Sequence, residues 1–191
     1  MKKARLEAFS DGVLAIIITI MVLELKVPHQ PTWAALLGVW PTLLSYLLSF
    51  IFVGIYWNNH HHLWQVAERV TGSVLWANLH LLFWLSLVPF VTAWMGENHF
   101  SSVPVAVYGV VLLGSGCAYT ILTRVLLASH PEDSLLAQAV GTDAKGRVSL
   151  AIYATAIAVA LAYPWLAGIL YAAVAIIWLI PDRRIEKVLS N

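Results

Sequence analysis

Hydrophobic stretches separated by short polar or charged connections fill most of this chain. Their approximate limits are 7–25, 33–66, 72–95, 103–127, 147–163 and 165–180. A helix that crosses a bilayer needs about 20 mostly apolar residues, with some latitude for tilt. The pattern therefore predicts an all-α membrane protein in which residues 1–191 form one domain of six transmembrane helices. Tyr163-Pro164-Trp165 leaves only a very short turn between the last two segments, and a re-entrant hairpin is the alternative there.

The composition agrees with a membrane environment. Of 191 residues, 60% are hydrophobic and 11% are charged, and the mean hydropathy is +0.79, which is more apolar than one soluble core requires. The formal net charge of +1, without a clustered basic face, argues against a nucleic-acid partner. Cys117 is the single cysteine, so there is no intrachain disulfide framework, and we expect it to be a small packing residue.

The positions of the basic residues predict the orientation. Ten of the eleven lysines and arginines fall on one side of the six-helix arrangement, and only Lys26 falls on the other. Lysine and arginine are enriched in cytoplasmic loops. Both termini are therefore predicted to be cytoplasmic, and the longest connection, about 129–146, is interpreted as a solvated cytoplasmic loop.

Asp11 lies near the start of the first apolar segment. Placing a carboxylate there costs free energy unless another group pairs with it. The second helix returns toward the same side with Asn59, His60 and His61, and the third begins there and carries Asn78. We therefore expect a buried polar layer that joins three helices. The alternative is that these groups are bonded to headgroups and water. No metal site is expected, since adjacent helical positions diverge by about 100° and three consecutive histidines cannot ligate one ion.

An aliphatic stripe runs along the first helix through Ile16, Ile20 and Leu23, with Thr19 beside it. By helical periodicity Asp11 points well away from this stripe. Such a stripe ordinarily packs against another helix. If several chains assembled around this helix, the stripe would become stacked aliphatic rings, which can gate a pore by excluding water.

Three motifs carry a resemblance to a known family. These are Arg5-x-x-x-Phe9-Ser10-Asp11 in the first helix, Trp57-x-Asn59-His60-His61 at the end of the second, and Asn78 followed by Pro89-Phe90 in the third. Together they resemble the transmembrane protein 175 family, the lysosomal potassium channels and their prokaryotic relatives. The resemblance spans at least the first half of the chain.

The resemblance implies a homotetramer, because prokaryotic members carry one six-helix unit and line a central pore with the first helix of each subunit. It implies a constriction formed by Ile16, Ile20 and Leu23, with Thr19 contributing to ion preference. It also implies that Arg5, Ser10 and Asp11 are structural residues that tie the first helix to the next two. The resemblance implies no cofactor, and it implies potassium as the permeant ion and the plasma membrane of a prokaryote as the location.

The function predicted from the sequence is a potassium-preferring cation channel with a hydrophobic constriction and no enzymatic activity. Its partners would be monovalent cations, the lipid bilayer and further copies of itself. The alternative is a proton-coupled transporter or proton leak that uses Asp11 and the histidines of the second helix. An intramembrane hydrolase is less compatible with the sequence, which shows neither a second carboxylate nor a nucleophile with a base beside it.

Overall fold

The computed structural model describes residues 3–131, 134–140 and 143–179. Throughout these residues the regular structure is α-helical, which confirms the predicted fold class. The helices, in chain order, are α1 (Lys3–Leu23), α2 (Trp33–Gly38), α3 (Trp40–Val66), α4 (Gly72–Ser86), α5 (Val88–Glu97), α6 (Ser102–Ala128), α7 (Leu135–Val140), α8 (Ala144–Ala160) and α9 (Pro164–Leu179).

Two of the predicted segments are each divided into two helices. The segment 33–66 breaks at Val39, between α2 and α3, and the segment 72–95 breaks at Leu87, between α4 and α5. In both cases a proline, Pro41 or Pro89, lies in the first turn of the second helix. Proline lacks the N–H that an interior position must donate, but this costs nothing in a first turn, so the break falls just before it.

Four helical stretches among the described residues are long and apolar enough to cross a membrane: α1, α3, Gly72–Glu97 and α6. The protein is thus a multi-pass membrane protein. The last two predicted segments correspond to α8 and α9, which have 17 and 16 residues. A turn at residues 161–163 joins them. The six-helix count and the hairpin alternative both stay predictions.

The connection at 129–146 is not simply a solvated loop, which corrects the sequence interpretation. It contains α7, and the side chain of Leu136 in α7 is fully buried against the bundle. Leu136 supplies that contact, whereas the neighbouring Leu135 is exposed. Lys2, Arg183, Arg184 and Lys187, which support the predicted orientation, lie outside the described residues.

The helix α1 packs on one side only. It contacts α3, α4 and α5 through a face that repeats every third or fourth residue, namely Leu6, Ser10, Leu14, Ile17 and Met21. That spacing is the one by which a helix presents a single stripe to its neighbours. None of the residues that the structure describes covers the opposite face of α1.

Candidate functional site: the two faces of helix α1

The uncovered face of α1 carries the predicted aliphatic stripe. Ile16 is 58% exposed, Ile20 41% and Leu23 80%. Thr19 lies on the same face, and its hydroxyl donates to the carbonyl oxygen of Ile16 at 2.8 Å. A back-bonded hydroxyl keeps its oxygen lone pairs turned outward, so Thr19 can still accept a hydrogen bond or contact a cation.

On the covered face, a chain of buried polar groups joins α1, α4 and α3. The Asn78 amide nitrogen donates to Ser10 Oγ at 2.9 Å, and Ser10 Oγ donates to the Leu6 carbonyl at 2.9 Å. His60 Nε2 lies 2.8 Å from Asn78 Oδ1, and Trp64 Nε1 donates toward the same nitrogen at 2.8 Å. At most 2% of each of the side chains Ser10, His60, Trp64 and Asn78 is exposed. These partners satisfy groups that would otherwise be costly to bury.

The imidazole of His60 determines which of these bonds form. One ring nitrogen cannot donate to Asn78 Oδ1 and also accept from Trp64 Nε1–H, because it either carries a proton or offers a lone pair. In addition, His60 Nδ1 is the one buried side-chain nitrogen or oxygen of the described residues that has no partner. The tautomer of His60 therefore decides which bond forms. A protonated Nε2 donates to Asn78 of α4, and an unprotonated Nε2 accepts from Trp64, one turn later in α3.

A second set of contacts ties α1 to α3 alone. Lys3 Nζ donates to the carbonyl oxygen of Ala67 at 3.0 Å. Glu7 Oε1 lies 3.2 Å from His61 Nδ1, and Trp57 Nε1 donates to Asp11 Oδ1 at 3.1 Å. Lys3, Glu7 and Asp11 follow one another at four-residue spacing, so they project from one side of α1. This side is the flank between the covered and uncovered faces.

A third tie joins the other end of α1 to α5. Lys26, just beyond α1, pairs with Glu97, the last residue of α5. Both side chains are exposed, and the hydrogen bond to the Glu97 carboxylate raises the pKa of Lys26 above its ordinary value. The ties at its two ends fix α1 lengthwise against the subunit, although an exposed ion pair contributes little to stability.

The predicted polar layer therefore divides into two clusters, with several residues in neither. Ser10, His60 and Asn78 form one cluster, and Asp11 and His61 belong to the other. Arg5 is exposed, as is 53% of Phe9. The Asn59 side chain joins neither cluster, since its amide donates to the Ile55 carbonyl of its own helix at 2.8 Å.

The sequence reasoning missed three participants, Lys3, Glu7 and Trp64. The four-residue spacing of Lys3, Glu7 and Asp11 was a usable signal, because it places three charged side chains on one flank of the helix. Trp64 lies one turn after His60 and gave a weaker signal, since aromatic residues are frequent throughout this chain. In the described part of the chain, no group of three or more His, Cys, Asp or Glu side chains has an arrangement that could hold a metal ion.

These observations define the class of protein: an all-α, multi-pass membrane protein whose first helix is tied to the subunit on one face and uncovered on the other. The comparisons specify the family. The profile described as endosomal/lysosomal potassium channel TMEM175 matches residues 5–89, which contain all three motifs except the phenylalanine after Pro89. A potassium channel of Chryseobacterium sp. (strain P1-3) is 57% identical over 191 residues, the whole of both chains.

More distant relatives and a solved structure are also similar to this chain. A potassium channel of Chamaesiphon minutus is 35% identical over 143 residues, which are 70% of this chain and 69% of that protein. The human endosomal/lysosomal proton channel TMEM175 is 34% identical over 86 residues, which are 39% of this chain and 17% of the human protein. A crystal structure of a lysosomal potassium-selective channel TMEM175 homolog from Chamaesiphon minutus matches with a TM-score of 0.79 and 30% identity, covering 93% of this chain and 96% of that one.

The chain belongs to the TMEM175 family. The family predicted from the sequence motifs is thereby confirmed, and its members named here are channels, not enzymes.

Proposed function

We propose that this protein is a potassium-preferring cation channel in the plasma membrane of a prokaryote, with both termini cytoplasmic. Four copies of α1 enclose the pore, and no cofactor takes part. The observation that carries this proposal is the division of α1 into a tied face and an uncovered aliphatic face. A helix held firmly by its own subunit, with a continuous apolar stripe left over, is suited to line a passage shared by several copies.

The constriction is formed by rings of Ile16, Ile20 and Leu23. A narrow aliphatic ring cannot replace the hydrogen bonds that water and a hydrated cation give up on entering, so it opposes passage when tight. It also provides no fixed cage of oxygen atoms, and selectivity among monovalent cations is therefore modest. Thr19 lies between the first two rings and offers a polar oxygen. Relatives named as potassium channels support potassium as the permeant ion.

The test is electrical. Purified protein is reconstituted in planar bilayers, and the reversal potential is measured with potassium on one side and sodium on the other. We expect discrete single-channel currents and a reversal potential that favours potassium. Saturable counterflow without unitary currents would contradict a channel. A current with no preference between the two ions would contradict potassium selectivity.

Proton permeation is the second candidate function, because the human relative is named a proton channel and this subunit holds a buried histidine, His60, behind the pore face. A pH-sensitive dye enclosed in proteoliposomes measures it directly. Protons that pass through the His60 cluster should be blocked by His60→Leu. The matched control is His62→Leu, since His62 is bonded only to Gln65 of its own helix. Equal flux in both variants would exclude the His60 route.

A further inference from the structure

Two polar side chains are exposed on the surface of the apolar helices α3 and α4. They are Asn58 of α3 and His80 of α4. His80 bonds only within its own helix, where Trp84 Nε1 donates to it at 3.0 Å. The Asn58 carboxamide has no hydrogen-bond partner among the described residues. A polar group that faces hydrocarbon without a partner is costly, so each of these surfaces needs a partner outside the subunit.

Asn58 and His80 lie at the same depth in the subunit. The hydrogen bond of 2.8 Å between His60 and Asn78 marks one level that α3 and α4 share. Asn58 precedes His60 by two residues, and His80 follows Asn78 by two residues. The helix α3 runs toward the segment 67–71, and α4 runs away from it. Each of the two residues therefore lies about 3 Å beyond the shared level, on the side away from that segment.

The two side chains point out of opposite sides of the subunit. Helical residues that are two positions apart differ in direction by about 200°. His60 faces α4, so Asn58 faces away from α4. Asn78 faces α1 and α3, so His80 faces away from both. Contacts between two different surfaces of identical copies are head-to-tail, and they close into a ring when the rotation fits.

The hydrogen-bonding groups of the two surfaces are complementary. His80 Nε2 accepts from the Trp84 indole N–H, so the proton of the neutral His80 ring is on Nδ1. A carboxamide oxygen such as that of Asn58 accepts hydrogen bonds. We propose that His80 Nδ1–H of one copy donates to the Asn58 oxygen of the next copy, and that this contact joins neighbouring subunits. This contact rests on the proposed function, in which four copies of α1 enclose a pore.

The sparse burial of α3 supports this assignment. In the apolar stretch of α3 28% of residues are buried, the same share as in α1. The proposed pore accounts for the low burial of α1 but not for that of α3. Aromatic side chains, namely Phe50 and Trp57 of α3 and Trp76 and Phe83 of α4, are exposed on the same surfaces and supply apolar contact around the hydrogen bond. Lipid tails could cover these rings, but they offer no partner to Asn58.

Cross-linking between two kinds of subunit tests the contact. With Cys117 replaced by alanine, subunits that carry Asn58→Cys are co-expressed with subunits that carry His80→Cys, each with its own affinity tag. A short bifunctional thiol reagent should join one kind to the other in proteoliposomes. A subunit with both cysteines should give a ladder that ends at four subunits. Either variant alone should stay monomeric on a denaturing gel, because its thiols do not face one another.

Ala151→Cys is the matched control for His80→Cys. Ala151 is exposed on α8, which packs against α6 and α9 on the far side of the subunit from α1. It should not cross-link to Asn58→Cys. Equal cross-linking of Asn58→Cys to residues 80 and 151, or to itself, would overturn the proposal.

Native mass spectrometry of the Cys117→Ala protein in nanodiscs separates this inference from the proposed function. Tetramers in which Asn58→Cys and His80→Cys do not cross-link would overturn the contact and leave the channel assembly in place. Monomers would overturn both.

Leucine variants carry the test if the cysteine variants assemble poorly. Asn58→Leu and His80→Leu should each lower the fraction of tetramer, and the double variant should lose no more than either, because both remove the same bond. Subunit association is the readout, since His80→Leu also removes the acceptor of Trp84 within α4. Additive losses in the double variant, or no loss in either single variant, would overturn the proposal.

Discussion

Ile16 and Ile17 are adjacent on α1 and have opposite surroundings. The side chain of Ile16 is 58% exposed, whereas that of Ile17 is 3% exposed. Because successive helical residues differ in direction by about 100°, one of the pair belongs to the uncovered face and the other to the packed face. The identical chemistry of the two side chains makes them a matched pair for experiment.

Ile16→Cys should react with a water-soluble thiol reagent in conducting protein about tenfold or more faster than Ile17→Cys, because the thiolate must meet water to react. Reaction rates in proteoliposomes measure this, with Cys117 replaced by alanine throughout. Cys117 is exposed rather than the packing residue expected from the sequence, so its replacement should cost little. Val110→Cys, 43% exposed on α6, distinguishes water from lipid exposure and should stay unreactive. Equal rates at residues 16 and 17 would place the pore elsewhere.

Asn78 and Asp11 should differ in their effect on stability. Asn78→Ala removes the amide that donates to Ser10 Oγ and the α4 partner of His60 in a fully buried site, which should cost about 2 kcal/mol. Asp11→Asn should cost much less, since Asp11 is half-buried and an asparagine oxygen can still accept from Trp57 Nε1. Thermal unfolding in detergent, monitored by size-exclusion chromatography, measures the loss of stability in both variants. Comparable losses would show that the Asp11 contact is as important to the fold as the buried chain.

The sequence indicated which residue types matter here but not their directions. His60 and Asn59 are neighbours in one motif, yet the His60 side chain contacts Asn78 of α4, whereas the Asn59 side chain bonds within α3 to the Ile55 carbonyl. Hydropathy could not separate them, because α3 carries apolar residues on all sides and polar residues over several consecutive positions. The rotation of α3 about its axis is fixed by packing, which one sequence does not display.

At the scale of the elements, His130 connects the end of α6 to the segment between α3 and α4. Its Nδ1 bonds to the Leu126 carbonyl at 2.8 Å, and its Nε2 accepts from the backbone N–H groups of Glu68 and Arg69 at 2.9 and 3.2 Å. Nδ1 must therefore carry the proton and Nε2 the lone pair. One side chain thus satisfies two backbone donors that belong to no helix.

His130→Ala should release those two donors and loosen the segment 67–71. Hydrogen exchange at Glu68 and Arg69 is expected to accelerate, because exchange there requires only local opening once the acceptor is gone. Mass spectrometry of the peptide that contains both residues measures the change. His62→Ala serves as the control, since His62 bonds within α3 to Gln65. Unchanged exchange in His130→Ala would mean that other contacts hold the segment.

The breaks inside two predicted segments show that hydropathy predicts an apolar segment but not a break within it. Pro41 and Pro89 were visible in the sequence, but the apolar run continues through both, and hydropathy does not register a change of direction. Within a membrane a break is tolerated where neighbouring helices satisfy the freed backbone groups. Whether they do so depends on contacts that only the folded chain provides.

For the whole molecule, the burial of the spanning helices is uneven. In the apolar stretches of α1 and α3, 28% of residues are buried, compared with 50% in Gly72–Glu97 and α6. The proposed tetramer accounts for the difference in α1. We expect cross-linking in nanodiscs to yield four subunits, because one copy of α1 cannot enclose a pore. A stable monomer or closed dimer in bilayers would contradict the proposed assembly.

The two faces of α1 also determine how a mutation would act in a cell that produces both the altered and the normal subunit. A change on the uncovered face leaves the packed face intact, so the altered subunit still folds and enters assemblies with normal ones. Under the proposed fourfold assembly it would impair most of the channels it joins, and its effect would be dominant. A change in the Ser10–Asn78–His60 chain removes the subunit before assembly, so the normal copies assemble alone and its effect would be recessive.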